Sequence, residues 1–167
     1  MVTPQYRDCP GCGAHLPVSE APPDSRYNAS PECVWLHGEL TAYTVTRGDI
    51  AFIHQHLVDA YGAQHVGENA RPIGVAFALI GLYLACEKGY TGRQVQHMHM
   101  LLANRSKTWP RFTPPLHPGA LTVADVMQAP SGEQRDNVLY QWAQSVWDAW
   151  SHEHERVRSL FERVMAD

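Results

Sequence analysis

PIGVAFALIGLYLAC, residues 72–86, decides the fold class. It opens on a proline, which suits a first helical position, and carries no charge until Glu87. Apolar residues fall on nearly every face at a 3.6-residue period, so it reads as a buried helix, closed by Gly89. As a helix its 15 residues span about 22 Å, short of the roughly 30 Å of a bilayer core. The expectation is a central helix of a soluble bundle with no membrane partner.

The same pattern continues on both sides. Upstream, Ser30 is an N-cap candidate for "PECVWLHGELTAYTV", with Pro31 in the first turn and a stop near Arg47-Gly48. Asp49 is expected to cap a second helix, "IAFIHQHLVDAYGAQHV". Downstream, Thr91 and Gln94 resemble a capping box for "GRQVQHMHMLLANR". The segment "TWPRFTPPLHPGA" contains Pro110, Pro114, Pro115 and Pro118 and cannot be helix. A short helix is expected at "VADVMQA". One long final helix is expected over about 133–165. On it Leu139, Trp142, Val146, Trp150, Val157, Phe161 and Val164 share a stripe. The fold class is therefore all-α: a bundle of about five helices over 29–167, preceded by an irregular Pro/Gly-rich arm over 1–28. The whole chain, 1–167, reads as a single domain.

Composition narrows the function. The chain has 167 residues, 44% of them hydrophobic, and a net charge of −4. An acidic balance argues against nucleic acid. The amino terminus lacks the apolar run of a secretion signal, so a cytoplasmic setting is expected. There, the four cysteines are expected as thiols or metal ligands rather than disulfides. Ten histidines, dispersed rather than clustered as a tag, raise the expectation of metal binding.

The arm supplies the chelating motif, "RDCPGCGAHLP" at residues 7–17. A Cys-x-x-Cys turn brings two sulfurs to one side, and a structural zinc requires four ligands. Cys9 and Cys12 make the pair, and Cys33 in the first turn of the first helix is the expected third. The first two helices are joined by a short turn and should run antiparallel. Cys33 lies 14 residues before that turn and His65 lies 17 after it, which places His65 near Cys33. His37, one turn beyond Cys33, is the competitor for the fourth position. His15 is close in sequence but nothing holds it. A redox Cys-x-x-Cys is disfavoured because no strand pattern precedes the pair. Cys86 reads as core.

The remaining histidines sort by helix face. His54 and His65 share a stripe with Val58 and Tyr61, but are about 16 Å apart along the axis and cannot share one ion. His56 is expected to be exposed. His97 and His99 face opposite ways, so only one reaches the core. Glu153 and His154 lie at the edges of the tryptophan stripe, with His152 pointing outward. Asp59 and Gln64 could hydrogen-bond ligating imidazoles. Three functions follow. The first is a helical protein holding one structural Zn2+ through Cys9, Cys12, Cys33 and His65 (or His37). The second is a metal-dependent hydrolase or transferase with a second metal. Its pocket would be lined by the catalytic candidates His54, Tyr61, Glu153 and His154. The third is a protein-interaction module using "TWPRFTPP" as its surface, although those residues are as readily a cover for the bundle. No partner is specified, and a homodimer is left open.

The order of motifs resembles a family of uncharacterised small bacterial proteins, a domain of unknown function. It runs through "CPGCG" (9–13), "ASPEC" (29–33), "GEL" (38–40), "VDAYGAQH" (58–65), "LIGL" (79–82), "TWP" and "PP" (108–115), "LTVADV" (121–126), "WAQSVWDAW" (142–150) and "VR" (157–158). The resemblance implies family histidines at His54, His65 and His154 and none at His37. It also implies that Ala78, and Glu153 beside His154, stand where the family carries further histidines. An inner cluster, if the family has one, is therefore altered in this chain.

Overall fold

The structure, a computed structural model, describes residues 2–167. Two short strands, β1 (Tyr6–Asp8) and β2 (His15–Pro17), form an antiparallel hairpin with Tyr6 opposite Pro17 and Asp8 opposite His15. Seven helices follow among the described residues: α1 (Pro31–Thr46), α2 (His54–Gln64), α3 (Pro72–Lys88), α4 (Gly92–Arg105), α5 (Val123–Gln128), α6 (Glu133–Ala149) and α7 (His154–Ala166). A 3₁₀ turn, Ser151–Glu153, separates the last two. None of these helices is long and apolar enough to cross a membrane.

α3 is central, as its composition requires. Leu79, Ile80 and Leu82 are fully buried, each burial contributing roughly 1.5–3 kcal/mol. α3 packs on α2, α4, α6 and α7. It ends at Gly89, whose φ of 69° forms a left-handed cap. The capping signals read from the sequence are present. The Ser30 hydroxyl accepts from the Cys33 amide, and Thr91–Gln94 closes a capping box at the start of α4.

Four expectations are corrected. The arm is not irregular throughout: its Cys loop is the turn of a hairpin, too short for strand alternation to show. The second helix starts at His54, not after Asp49. The Asp49 carboxylate instead accepts from the Ile53 amide at 3.0 Å, and Phe52 adopts φ 54°, so residues 50–53 are a turn. The final helix is two helices. The Trp150 indole donates to the Ala63 carbonyl at 3.1 Å, and the backbone unwinds there into a 3₁₀ turn. Trp150 and Val157 remain buried across the break. Finally, His56 is buried rather than exposed, because α2 is covered by α1, α3, α4 and α6 at once.

The segment "TWPRFTPP" covers the bundle. Trp109 packs edge-on against Phe77 at 5.0 Å between ring centroids. Phe112 is buried under the Arg156 guanidinium.

Candidate metal centre

The hairpin turn closes on itself before it meets the bundle. The Cys9 amide donates to the Ala14 carbonyl at 2.9 Å and the Gly13 amide to the Cys9 carbonyl at 2.8 Å. Gly13, at φ 79°, takes a conformation that suits glycine. This turn points the Cys9 and Cys12 thiols the same way. The Ser30 cap fixes the first turn of α1 and so the height of Cys33. His65 is the residue that ends α2, with φ −121° and ψ 41°, and leaving the helix turns its ring toward the arm.

Three seams hold arm and bundle in register. The Asn28 amide donates to the His65 carbonyl at 3.0 Å, and the Ser19 amide donates to Glu32 Oε1 at 2.9 Å. The third is close packing at Gly11. A Cβ there would lie 2.2 Å from the Asn28 carbonyl oxygen and 2.6 Å from His65 Cδ2, so only glycine lets the turn reach the imidazole.

One ligand atom from each of Cys9, Cys12, Cys33 and His65 comes within 4.8 Å of all the others, and all four residues are buried. This group could hold a metal ion. Cys12 Sγ and Cys33 Sγ are 3.8 Å apart, and Cys33 Sγ and His65 Nε2 are 3.4 Å apart. A tetrahedral ion with bonds of about 2.3 Å to sulfur and 2.0–2.1 Å to nitrogen separates its ligands by about 3.8 Å (S–S) and 3.6 Å (S–N). The group is thus sized for such an ion. All four cysteines of the chain are free thiols.

The donor chemistry fits as well. His65 Nδ1–H donates to the Tyr61 carbonyl at 2.9 Å, which leaves the Nε2 lone pair facing the sulfurs. Hydrogen bonds from Cys12 and Cys33, together with His65, hold the Cys9 thiol far below its ordinary value. Hydrogen bonds to Cys12 and Cys9, with burial, push Cys33 far above its own. Without a cation the cluster thus favours one thiolate, at Cys9, hydrogen-bonded by protonated neighbours; a bound cation would let all three sulfurs ionise.

Tyr61 extends the centre. Its hydroxyl donates to Cys33 Sγ at 3.5 Å. Its ring stacks on His65 at 3.9 Å on one side and on His37 at 4.0 Å on the other. His37 is thus separated from the sulfurs by the phenol ring and does not join the group. Burial pushes it down to about 4. His15 is exposed and bound to Asp8 at 2.7 Å.

The other catalytic candidates take separate partners. His54 Nδ1–H donates to the Thr44 hydroxyl at 2.9 Å, which itself donates to the Leu40 carbonyl. Glu153 is buried. Its Oε2 accepts from the Thr113 amide at 3.1 Å and from Arg156 at 2.6 Å, which ties the proline-rich segment to the start of α7. His154 stacks on Trp147 at 3.7 Å and donates to the Trp147 carbonyl at 2.7 Å. Neither Asp59 nor Gln64 touches the His65 imidazole through a hydrogen bond. Gln64 instead joins α2 to α6, accepting from the Trp142 indole at 2.9 Å and donating to the Pro118 and Leu121 carbonyls. Gly11 and Asn28 are residues of the centre that the sequence reading did not single out, and Tyr61, expected in a separate pocket with His54, stands instead beside Cys33 and His65. Tyr61 lies four residues before His65, the helical spacing at which its carbonyl meets that ring.

No curated protein matches the chain, and neither does any solved structure. A family described as a family of unknown function (DUF5946) matches residues 7–151, a span that includes the hairpin from Arg7 onward, all four clustered residues and the helices up to the 3₁₀ turn. The chain belongs to that family of unknown function, DUF5946.

Proposed function

We propose that this chain is a zinc-binding helical protein whose single ion is structural, held by Cys9, Cys12, Cys33 and His65. The observation that carries the reading is a closed set of four buried ligand atoms within 4.8 Å of one another. Three thiolates and one imidazole are a donor set for structural zinc, and catalytic zinc keeps one position for water or substrate. Zn2+ supplies here a positive charge that neutralises the thiolates and joins arm to bundle. The chain's own residues do the rest: the hairpin turn aims Cys9 and Cys12, Ser30 sets Cys33, and the Tyr61 carbonyl orients His65.

Four free thiols support a reducing, cytoplasmic setting. The net charge of −4 supports a role without nucleic acid, and contacts between α3 and α2, α4, α6 and α7 support a single domain. Substitution with Co2+ tests the site. The expected result is one equivalent bound, with intense thiolate charge-transfer absorption and tetrahedral d–d bands that zinc abolishes on titration. Octahedral, weakly absorbing cobalt would overturn the reading.

A further inference from the structure

Of the three sulfurs in the metal centre, two belong to the arm and one to the bundle. Cys9 and Cys12 are separated by two residues of the hairpin turn. A bond between them would close the turn on itself and tie the arm to nothing. Cys33 stands in the first turn of α1, 21 residues beyond Cys12. The Cys12 and Cys33 sulfurs are 3.8 Å apart, and a disulfide brings its sulfurs to about 2.05 Å. Closing that gap takes a shift of less than about 2 Å, shared between a turn and a helix terminus. A bond there would fasten the arm to the bundle, as the ion does.

The three cysteines also differ in access. Cys9 and Cys12 line a cavity of about 360 Å³ bounded by the hairpin turn, the end of α2 and the proline-rich segment 114–119. Cys33 does not line it and is wholly buried. Of the arm pair, Cys12 keeps the larger exposure, 5% against 2%. Cys12 is thus the cysteine that borders a cavity and has the Cys33 sulfur beside it. The fourth thiol, Cys86, lies on α3 outside the cluster.

We propose that hydrogen peroxide converts Cys12 and Cys33 into a disulfide, which replaces the ion as the link between arm and bundle. Only the replacement rests on the metal reading; the disulfide needs no more than the two cysteines as they stand. The Cys12 sulfur attacks one peroxide oxygen. An S–O bond forms, the O–O bond breaks, and the departing hydroxide takes a proton to leave as water. The Cys33 sulfur then attacks the sulfenic acid on Cys12. The S–S bond forms, the S–O bond breaks, and the hydroxide again leaves as water with a proton. The two sulfurs together give up two electrons and the peroxide accepts them. The protons come from the thiols, or from solvent where the sulfurs start as thiolates. Cys9 and His65 alone then remain as ligands, too few for a closed tetrahedral site, and the ion is expelled while the arm stays docked.

The test treats the reduced, zinc-loaded chain with hydrogen peroxide beside a chromophoric chelator. Free thiols are then alkylated and the peptides mapped by mass spectrometry. One disulfide, Cys12–Cys33, is expected, with Cys9 and Cys86 alkylated and close to one zinc released per disulfide. Amide exchange over residues 6–33 should stay at least about tenfold slower than in the reduced, chelated chain. A Cys9–Cys12 disulfide, sulfinic acids without a disulfide, thiols that survive peroxide, or an arm that exchanges as fast as in the reduced, chelated chain would each overturn the proposal. A chain that binds no zinc and still forms the Cys12–Cys33 bond would overturn the metal reading while upholding the disulfide.

Discussion

Two residues show how local packing fixes chemistry. Gly11 has no side chain because the space is taken by the Asn28 carbonyl and the His65 ring. Gly11→Ala must push the turn off the imidazole, the contact that orients a ligand. Zinc affinity should fall by about 10–100-fold, measured by competition with a chromophoric chelator, while helicity is retained. His56 is the second case. Burial pushes it down to about 4, from 6.5. It is faced by Asp49, whose charge opposes the shift, and by Tyr140, with ring centroids 5.5 Å apart. Between those two values the unfolded chain takes up a proton that the folded chain refuses. The stability associated with His56 is thus fully present above pH 6.5 and is lost as pH falls toward 4, by about 2 kcal/mol between pH 7 and pH 5. His56→Phe removes no hydrogen bond at Nδ1, which has no partner. Urea unfolding at both pH values should show a smaller loss in the variant by about that amount.

At the scale of the element, caps and tertiary polar bonds do different work. Ser30 caps α1 through the amide of Cys33 itself, so Ser30→Ala removes a cap and loosens a ligand together. A stability loss of about 1 kcal/mol is expected, larger with zinc bound than with zinc chelated, since only the loaded chain depends on the position of Cys33. The helices were legible in the sequence where such caps announce them: Ser30, Thr91 and Gly89 each stand where the structure uses them. The break at Trp150 was not legible, because neither proline nor glycine marks it. At the break the Trp150 indole donates to the Ala63 carbonyl, a contact between distant parts of the chain. The hairpin escaped notice because three residues per strand carry no period. His56 misled for a related reason: a polar helix looks one-sided in sequence, and α2 is covered on four sides. The cluster of Cys9, Cys12, Cys33 and His65 was legible through the Cys-x-x-Cys motif and through spacing, since a short turn between antiparallel helices sets Cys33 opposite His65, although spacing left His37 as a competitor for the fourth place. What surrounds them, the Tyr61 ring and the Gly11 contact, depends on the angle at which α2 ends.

At the scale of the whole molecule, two cores of different kinds are joined. The bundle is held by apolar side chains around α3 and by three buried tryptophans, Trp142, Trp147 and Trp150. The arm buries little besides its cysteines, Ala14 and Leu16, too few apolar residues for a hairpin of that size to hold by itself. Removing the ion should therefore release the arm and spare the bundle. Chelation is expected to lower the melting temperature and to accelerate amide exchange over residues 6–33, with the helical far-ultraviolet spectrum largely kept. Wholesale loss of helix on chelation would mean that the ion organises the bundle as well.

The most direct test is the metal content of reduced, tag-free protein by mass spectrometry, wild type beside Cys33→Ser. Convergence of three thiolates and one imidazole on one cation predicts close to one zinc per chain in the wild type and a large drop in the variant. A wild-type chain that carries no metal, and takes up none when zinc is added, would contradict it.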